Sequence, residues 1–97
     1  MSMPRSAMGV GVLNDKLLYV IGGMSMDGAA LMSVEAFDPL AQTWSGQWPK
    51  DTRPADLFTA RHSLGVGAIG DRIYVVGGND GRSVVKSVEA YKNVSLA

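Results

Sequence analysis

A chain of 97 residues with no cysteine, one histidine, and nine basic against nine acidic side chains has room for one small domain at most, and neither disulfides nor thiolate metal sites can staple it. The balanced charge argues against a basic groove for nucleic acid, and no apolar run reaches the ~18–20 residues of a membrane span. At 46% hydrophobic and 19% charged the chain is not a disordered tail, and its twelve glycines, above the usual ~7%, need a structural reason.

Met1 to Arg5 has no basic region followed by an apolar stretch, so no signal peptide is expected; with the lack of cysteine this points to a cytoplasmic protein. Residues 10–13 are β-prone and end at Asn14-Asp15, a hairpin turn pair. Residues 17–21 form an apolar run of strand length ending in Gly22-Gly23, where the chain can bend or approach another backbone without a Cβ. A loop over 24–31 carries Asp27-Gly28. Strand three is expected over 33–37, with Val34 and Ala36 alternating against Glu35 and Phe37. Asp38-Pro39 closes it, because proline cannot continue a ladder, and Thr43-Trp44-Ser45 opens a short fourth strand.

Residues 46–60 lack strand character and hold Pro49 and Pro54; their middle, 50–56, reads as an exposed linker. Strands then return over 66–69, 72–76 and 87–91, with a turn at Gly70-Asp71 and a loop over 79–84 carrying Asp80-Gly81. No helix is expected. Asn93-Val94-Ser95 matches a glycosylation sequon, a tripeptide common by chance.

The second set of strands copies the first. Arg5, Gly9, Gly11 and Asp15 fall on Arg61, Gly65, Gly67 and Asp71; Tyr19, Gly22 and Gly23 fall on Tyr74, Gly77 and Gly78; Ser33-Val34-Glu35-Ala36-Phe37 falls on Ser87-Val88-Glu89-Ala90-Tyr91. A repeat of about 55 residues built from short antiparallel strands has the layout of propeller blades. In order and spacing, Arg5, Tyr19, Gly22, Gly23, Glu35, Phe37, Asp38 and Trp44, echoed by Arg61, Tyr74, Gly77, Gly78, Glu89 and Tyr91, resemble the kelch repeat. The second copy departs after Tyr91, where Lys92-Asn93 stands in place of Asp-Pro and no tryptophan follows. The resemblance implies an all-β fold of two four-stranded antiparallel kelch-type blades, the second lacking a clear fourth strand. Blade 1 would span 1–48, a linker 49–60, and an incomplete blade 2 residues 61–97.

Several tempting sites have plainer readings. Residues 65–70 spell G-x-G-x-x-G, but a dinucleotide site needs a helix next, and another strand follows; close backbone approach near a propeller channel explains the glycines. His62 has no placed nucleophile or companion ligands. Asp27 and Asp80 lack the alternating carboxylates of a calcium loop and read as turn residues. The recurring aromatics read as core rather than a ligand cage. No catalytic, metal or cofactor residue is assigned.

In proteins similar to this one, loops between strands two and three, and those leading into the inner strand, hold the partner. That implication makes Arg5, Met24, Ser25, Asp27, Arg53, Arg61, Asn79, Asp80 and Arg82 the partner-binding candidates. Methionines adapt to varied surfaces, and arginine forks suit acidic or phosphorylated peptides; the competing reading for Arg5 and Arg61 is that they tie neighbouring blades together. The leading expectation is a protein-interaction module, of the kind that recruits substrates within ubiquitin-ligase adaptors, without nucleic acid or membrane partners. One alternative is part of a kelch-type enzyme acting on sugars. Another is a protomer that closes a propeller with copies of itself, since a propeller needs about four to eight blades; otherwise the chain is a piece of a longer propeller.

Overall fold

The computed structural model describes residues 3–13 and 16–91. The turn expected at Asn14-Asp15, the Lys92-Asn93 departure and the sequon at Asn93 lie outside the described residues. Two antiparallel sheets follow one another along the chain. The first is four-stranded, β1 (Gly9–Leu13), β2 (Leu17–Ile21), β3 (Val34–Asp38) and β4 (Thr43–Trp44) in that order. The second is three-stranded, β5 (Gly65–Ile69), β6 (Arg72–Val76) and β7 (Val88–Tyr91). Among the described residues there is no α-helix, only 3-10 turns at Ser45–Gln47 and Lys50–Thr52. No helix among them is long and apolar enough to cross a membrane. This is the all-β, two-blade architecture expected from the repeat.

Register assigns each side chain to a face. Gly9, Gly11 and Tyr19 share one face of blade 1 with Ile21, Val34 and Ala36, because Gly11 pairs with Tyr19, Tyr19 with Ala36 and Ile21 with Val34. In blade 2 Ile73 pairs with Tyr91 and Val75 with Glu89, so Ile73, Val75, Glu89 and Tyr91 share the face that meets blade 1. The core lies between these faces: Leu13, Leu17, Tyr19, Ile21, Val34 and Ala36 from one sheet, Ile73, Val75 and Tyr91 from the other. The Tyr19 and Tyr91 rings meet edge to face, centroids 5.9 Å apart. Removing a branched aliphatic side chain from water contributes about 1.5–3 kcal/mol, so this one seam holds most of the apolar stabilisation.

The inner-strand glycines of blade 1 serve the seam. A Cβ on Gly11 would stand 3.0 Å from Val66 Cγ1 and 3.4 Å from Ile73 Cδ1, and one on Gly9 closer still to Val66. Crowding at Gly9 and Gly11 comes from the neighbouring blade.

Three further features differ from expectation. Glu35 is buried along with Val34 and Ala36, because it has an internal cation partner. Leu57, in the proline-containing linker, is buried in the core, and its N–H donates to Met32 O at 2.7 Å. Trp44, Phe37 and Tyr74, expected in the core, are half-buried, and the Trp44 and Phe37 rings meet tilted by 48° with centroids 4.9 Å apart. Trp48 packs against the core and donates from Nε1 to Thr43 Oγ1 at 3.0 Å. Gly70 adopts φ 62° at its turn, as expected.

Candidate functional site

The topology gathers the loops expected to meet a partner at one end of both sheets. β2 ends and β3 begins there, and β1 starts beside them because Gly9 pairs with Ile21. The lead-in to each inner strand bonds to the neighbouring loop. Ser6 and Met24 exchange N–H···O bonds of 3.0 and 2.7 Å, and His62 and Asn79 repeat the exchange at 2.8 and 2.9 Å. Ala7 and Ser63, at matched positions, turn the lead-ins with φ of 54° and 56°. Neither residue is glycine, and nothing in hydropathy patterning marks them.

At this end Met26 and Asp27 are exposed and Met24 and Ser25 half-buried. Pro4, Arg5, Ser6, Met24, Ser25 and Met26 line a shallow pocket of about 190 Å3. The Ser25 hydroxyl donates to Asp27 Oδ1. That bond, with backbone N–H donors including its own, holds the Asp27 carboxyl below its ordinary value. In blade 2 Asp80 Oδ1 accepts from the N–H groups of Ser83 (2.9 Å) and Arg82 (2.8 Å), which lowers the Asp80 carboxyl in the same way. Asn79 Oδ1 accepts from Gly81 N–H at 2.7 Å. Asp27 and Asp80 thus act as the turn residues the sequence suggested, and the Arg82 side chain stands exposed on a braced loop.

Arg5 and Arg61 are turned inward, which corrects the expectation that they offer a fork to a partner. Arg61 Nη1 donates to Gly77 O and Ser87 O, both at 3.0 Å, and Nη2 to Ser87 Oγ (2.9 Å) and Glu89 Oε2 (2.7 Å). Arg5 repeats the set one blade earlier, with Gly22 O (2.8 Å), Ser33 O (3.0 Å), Ser33 Oγ (3.0 Å) and Glu35 Oε2 (2.9 Å). The guanidinium side chains are 1% (Arg5) and 0% (Arg61) exposed. Each fork matches four acceptors in its own blade, a geometry that lysine cannot copy. Glu89 also accepts from the N–H groups of Phe58 (2.8 Å) and Thr59 (3.2 Å), anchoring the linker.

Joining the blades falls to the backbone of Arg61 rather than its side chain. Its carbonyl accepts from Gly23 N–H at 2.8 Å and its N–H donates to Leu31 O at 3.0 Å, while Ser63 N–H donates to Ala7 O at 2.7 Å. The remaining candidate, Arg53, stands apart on the linker. Its Nε donates to Trp48 O at 2.9 Å, and it lines a second pocket, of about 250 Å3, with Met3, Ser33, Glu35 and Asp56 among others.

The ring of His62 lies 2.9 Å from Ser63 Oγ through Nδ1. Among the described residues no group of three or more His, Asp or Glu side chains gathers as a metal set.

The lock of Arg, double glycine, Ser and Glu, built twice, coincides with what known proteins share with this chain. The kelch motif profile matches residues 4–46 and 60–92. Kelch-like protein 28 of Homo sapiens is 34% identical over 93 residues, 89% of this chain and 15% of that protein. Kelch-like protein 4 of Homo sapiens is 38% identical over 58 residues, 60% of this chain and 7% of that protein. Kelch-like protein 1 of Mus musculus is 40% identical over 55 residues, 57% of this chain and 6% of that protein. The chain therefore spans a small fraction of these relatives' length. Two matched segments, two copies of the same buried arginine lock and two sheets in blade order lead to one conclusion: the chain belongs to the kelch-repeat family.

Proposed function

We propose that this chain is a cytoplasmic protein-interaction module whose partner is held at the loop end of the sheets. Met24, Met26 and Asp27 of blade 1 and Asn79, Asp80 and Arg82 of blade 2 form the contact surface. The observation that carries this reading is the division of labour between repeated and unrepeated residues. The groups the two copies share, Arg5/Arg61 and Glu35/Glu89, are consumed inside the blades. The loops at 24–31 and 79–84 differ in sequence, stand at one end, and are stiffened by their own turn hydrogen bonds. Stiff loops with differing tips on a repeated scaffold lose little conformational freedom on binding and give specificity without changing the fold. In its finer form the bound protein is a substrate presented to a ubiquitin ligase, an expectation supported by the kelch resemblance alone.

A photo-crosslinking side chain placed at Met26 or Arg82 tests the surface, with Leu40, exposed at the opposite end of the sheets, as control. Expressed in cells, positions 26 and 82 are expected to trap the same protein species and position 40 not to. Equal capture from all three positions, or capture from position 40 alone, would move the contact surface away from these loops.

A further inference from the structure

We propose that Met24 and Met26 form a reversible oxidation site, at which hydrogen peroxide turns apolar thioethers into polar sulfoxides while the blade stays folded. The first observation is where the methionines lie. All six fall within residues 1–32, and the described ones stand at the loop end of blade 1. Met3 and Met8 come from the lead-in to β1, Met24 and Met26 from the loop after β2, and Met32 from the approach to β3. None of these belongs to the core cluster. The chain has no cysteine, so sulfur chemistry with a peroxide falls to thioethers.

Exposure ranks them. Met26 is 88% exposed, and Met24, half-buried, lines the pocket of about 190 Å3 with it. Met8 is half-buried against the double glycine, its Cβ 2.9 Å from where a Cβ on Gly23 would stand. The turn that carries Met26 closes without either thioether. Ser25 N–H donates to Ala29 O at 2.9 Å, Gly28 N–H to Ser25 O at 3.0 Å, and Ala29 N–H to Ser25 Oγ at 3.2 Å. Met24 is held through its backbone, by the paired bonds with Ser6. Oxygen added at sulfur breaks none of these bonds. In the reaction the sulfur lone pair attacks one peroxide oxygen, the O–O bond breaks and an S–O bond forms. A proton moves to the departing oxygen, which leaves as water; the sulfur is oxidised and the peroxide reduced. Asn79 holds the place of Met24 in blade 2, so the chemistry is confined to one blade. The consequence for binding rests on the contact surface proposed above: an adaptable apolar tip becomes polar, and a partner seated on it is released.

Peptide mapping by mass spectrometry, on the purified chain exposed to hydrogen peroxide for increasing times, tests the site. Met26 is expected to gain one oxygen first, Met24 next and Met8 last. The thermal unfolding midpoint should hold while Met24 and Met26 react, and treatment with the reductases for the two sulfoxide epimers should remove both oxygens. Oxygen uptake at Met8 as fast as at Met26, or a midpoint that falls as Met26 reacts, overturns the proposal. A photo-crosslinking side chain at position 82, used in lysate with the chain before and after peroxide, reads the consequence. Capture is expected to be lost on oxidation and regained on reduction; in Met24→Leu/Met26→Leu it should be the same before and after peroxide. Capture by the unsubstituted loop that ignores oxidation overturns the switch and leaves the contact surface standing. Absence of capture in both states overturns the contact surface instead, and the oxidation site is then decided by the mass and unfolding measurements.

Discussion

Arg61 Nη2 lies 2.7 Å from Glu89 Oε2 in a site where the guanidinium is fully buried and the carboxylate nearly so. Removing one member of a buried ion pair leaves the other charge uncompensated and costs about 3–5 kcal/mol. Against a total stability of roughly 5–15 kcal/mol for a domain, Arg61→Ala is expected to leave the chain largely unfolded near body temperature. Arg61→Lys is expected to rescue little, since one ammonium cannot reach four acceptors in a fork. Denaturant unfolding of the three proteins checks this; a lysine variant as stable as wild type would show that charge alone, not fork geometry, holds the blade.

The two copies of one glycine position should respond in opposite ways. Gly11→Ala places a methyl 3.0 Å from Val66 Cγ1 at the seam and is expected to cost about 1–3 kcal/mol through overpacking. Gly67→Ala meets nothing within 4 Å and is expected to stabilise the protomer by about 0.5–1 kcal/mol, as a strand glycine replaced by alanine. Thermal unfolding of both variants, at a concentration where the chain is a protomer, reads the sign of each.

Loop order at Arg82 and Ser83 should depend on acid. The Asp80 carboxyl is held below 3.8 by the N–H groups of Ser83 and Arg82, in that order. A lowered folded value means the turn's stabilisation is complete above the unfolded value and fades as pH falls through the lowered one. The amide resonances of residues 82 and 83 are therefore expected to hold their positions through mildly acidic pH and to move together only below 3.8. In Asp80→Asn that acid transition should vanish.

Alkali should act on the seam. Burial, and secondarily the neighbouring Tyr19, push the Tyr91 hydroxyl above its ordinary value of 10.0. A raised folded value favours the neutral form, so the stabilisation is whole below 10.0 and is lost as pH rises beyond it. Tyrosinate absorbance is expected to appear in step with loss of the fold, and Tyr91→Phe to shift that transition to higher pH. A Tyr91 signal that titrates in the folded chain near the ordinary value would contradict the burial assigned to it.

The strands, their order and the repeat were legible because period-two apolar runs, Gly-Gly endings and proline stops are local signals. The arginine lock was not read from either copy alone, since Arg5 and Glu35 lie far apart along the chain and alternation rules place charges outside. The signal that would have found it is the joint recurrence of Arg5, Ser33 and Glu35 as Arg61, Ser87 and Glu89: polar residues repeated together at scaffold positions belong to the scaffold. Leu57 was hidden by its prolines and charged neighbours, which describe the linker's exposed middle but not its docking end. The left-handed turns at Ala7 and Ser63 carried no residue that announces them.

The double attachment of Arg61 has a thermodynamic consequence. Its side chain satisfies the carbonyls of blade 2 while its own peptide groups complete the loop of blade 1. Opening either sheet thus removes partners from the other, and the free energy of the pair sits in a nearest-neighbour coupling rather than in two separate intrinsic stabilities. Hydrogen exchange should see Gly23 and Arg61 open in a single event, with one protection factor shared across the junction.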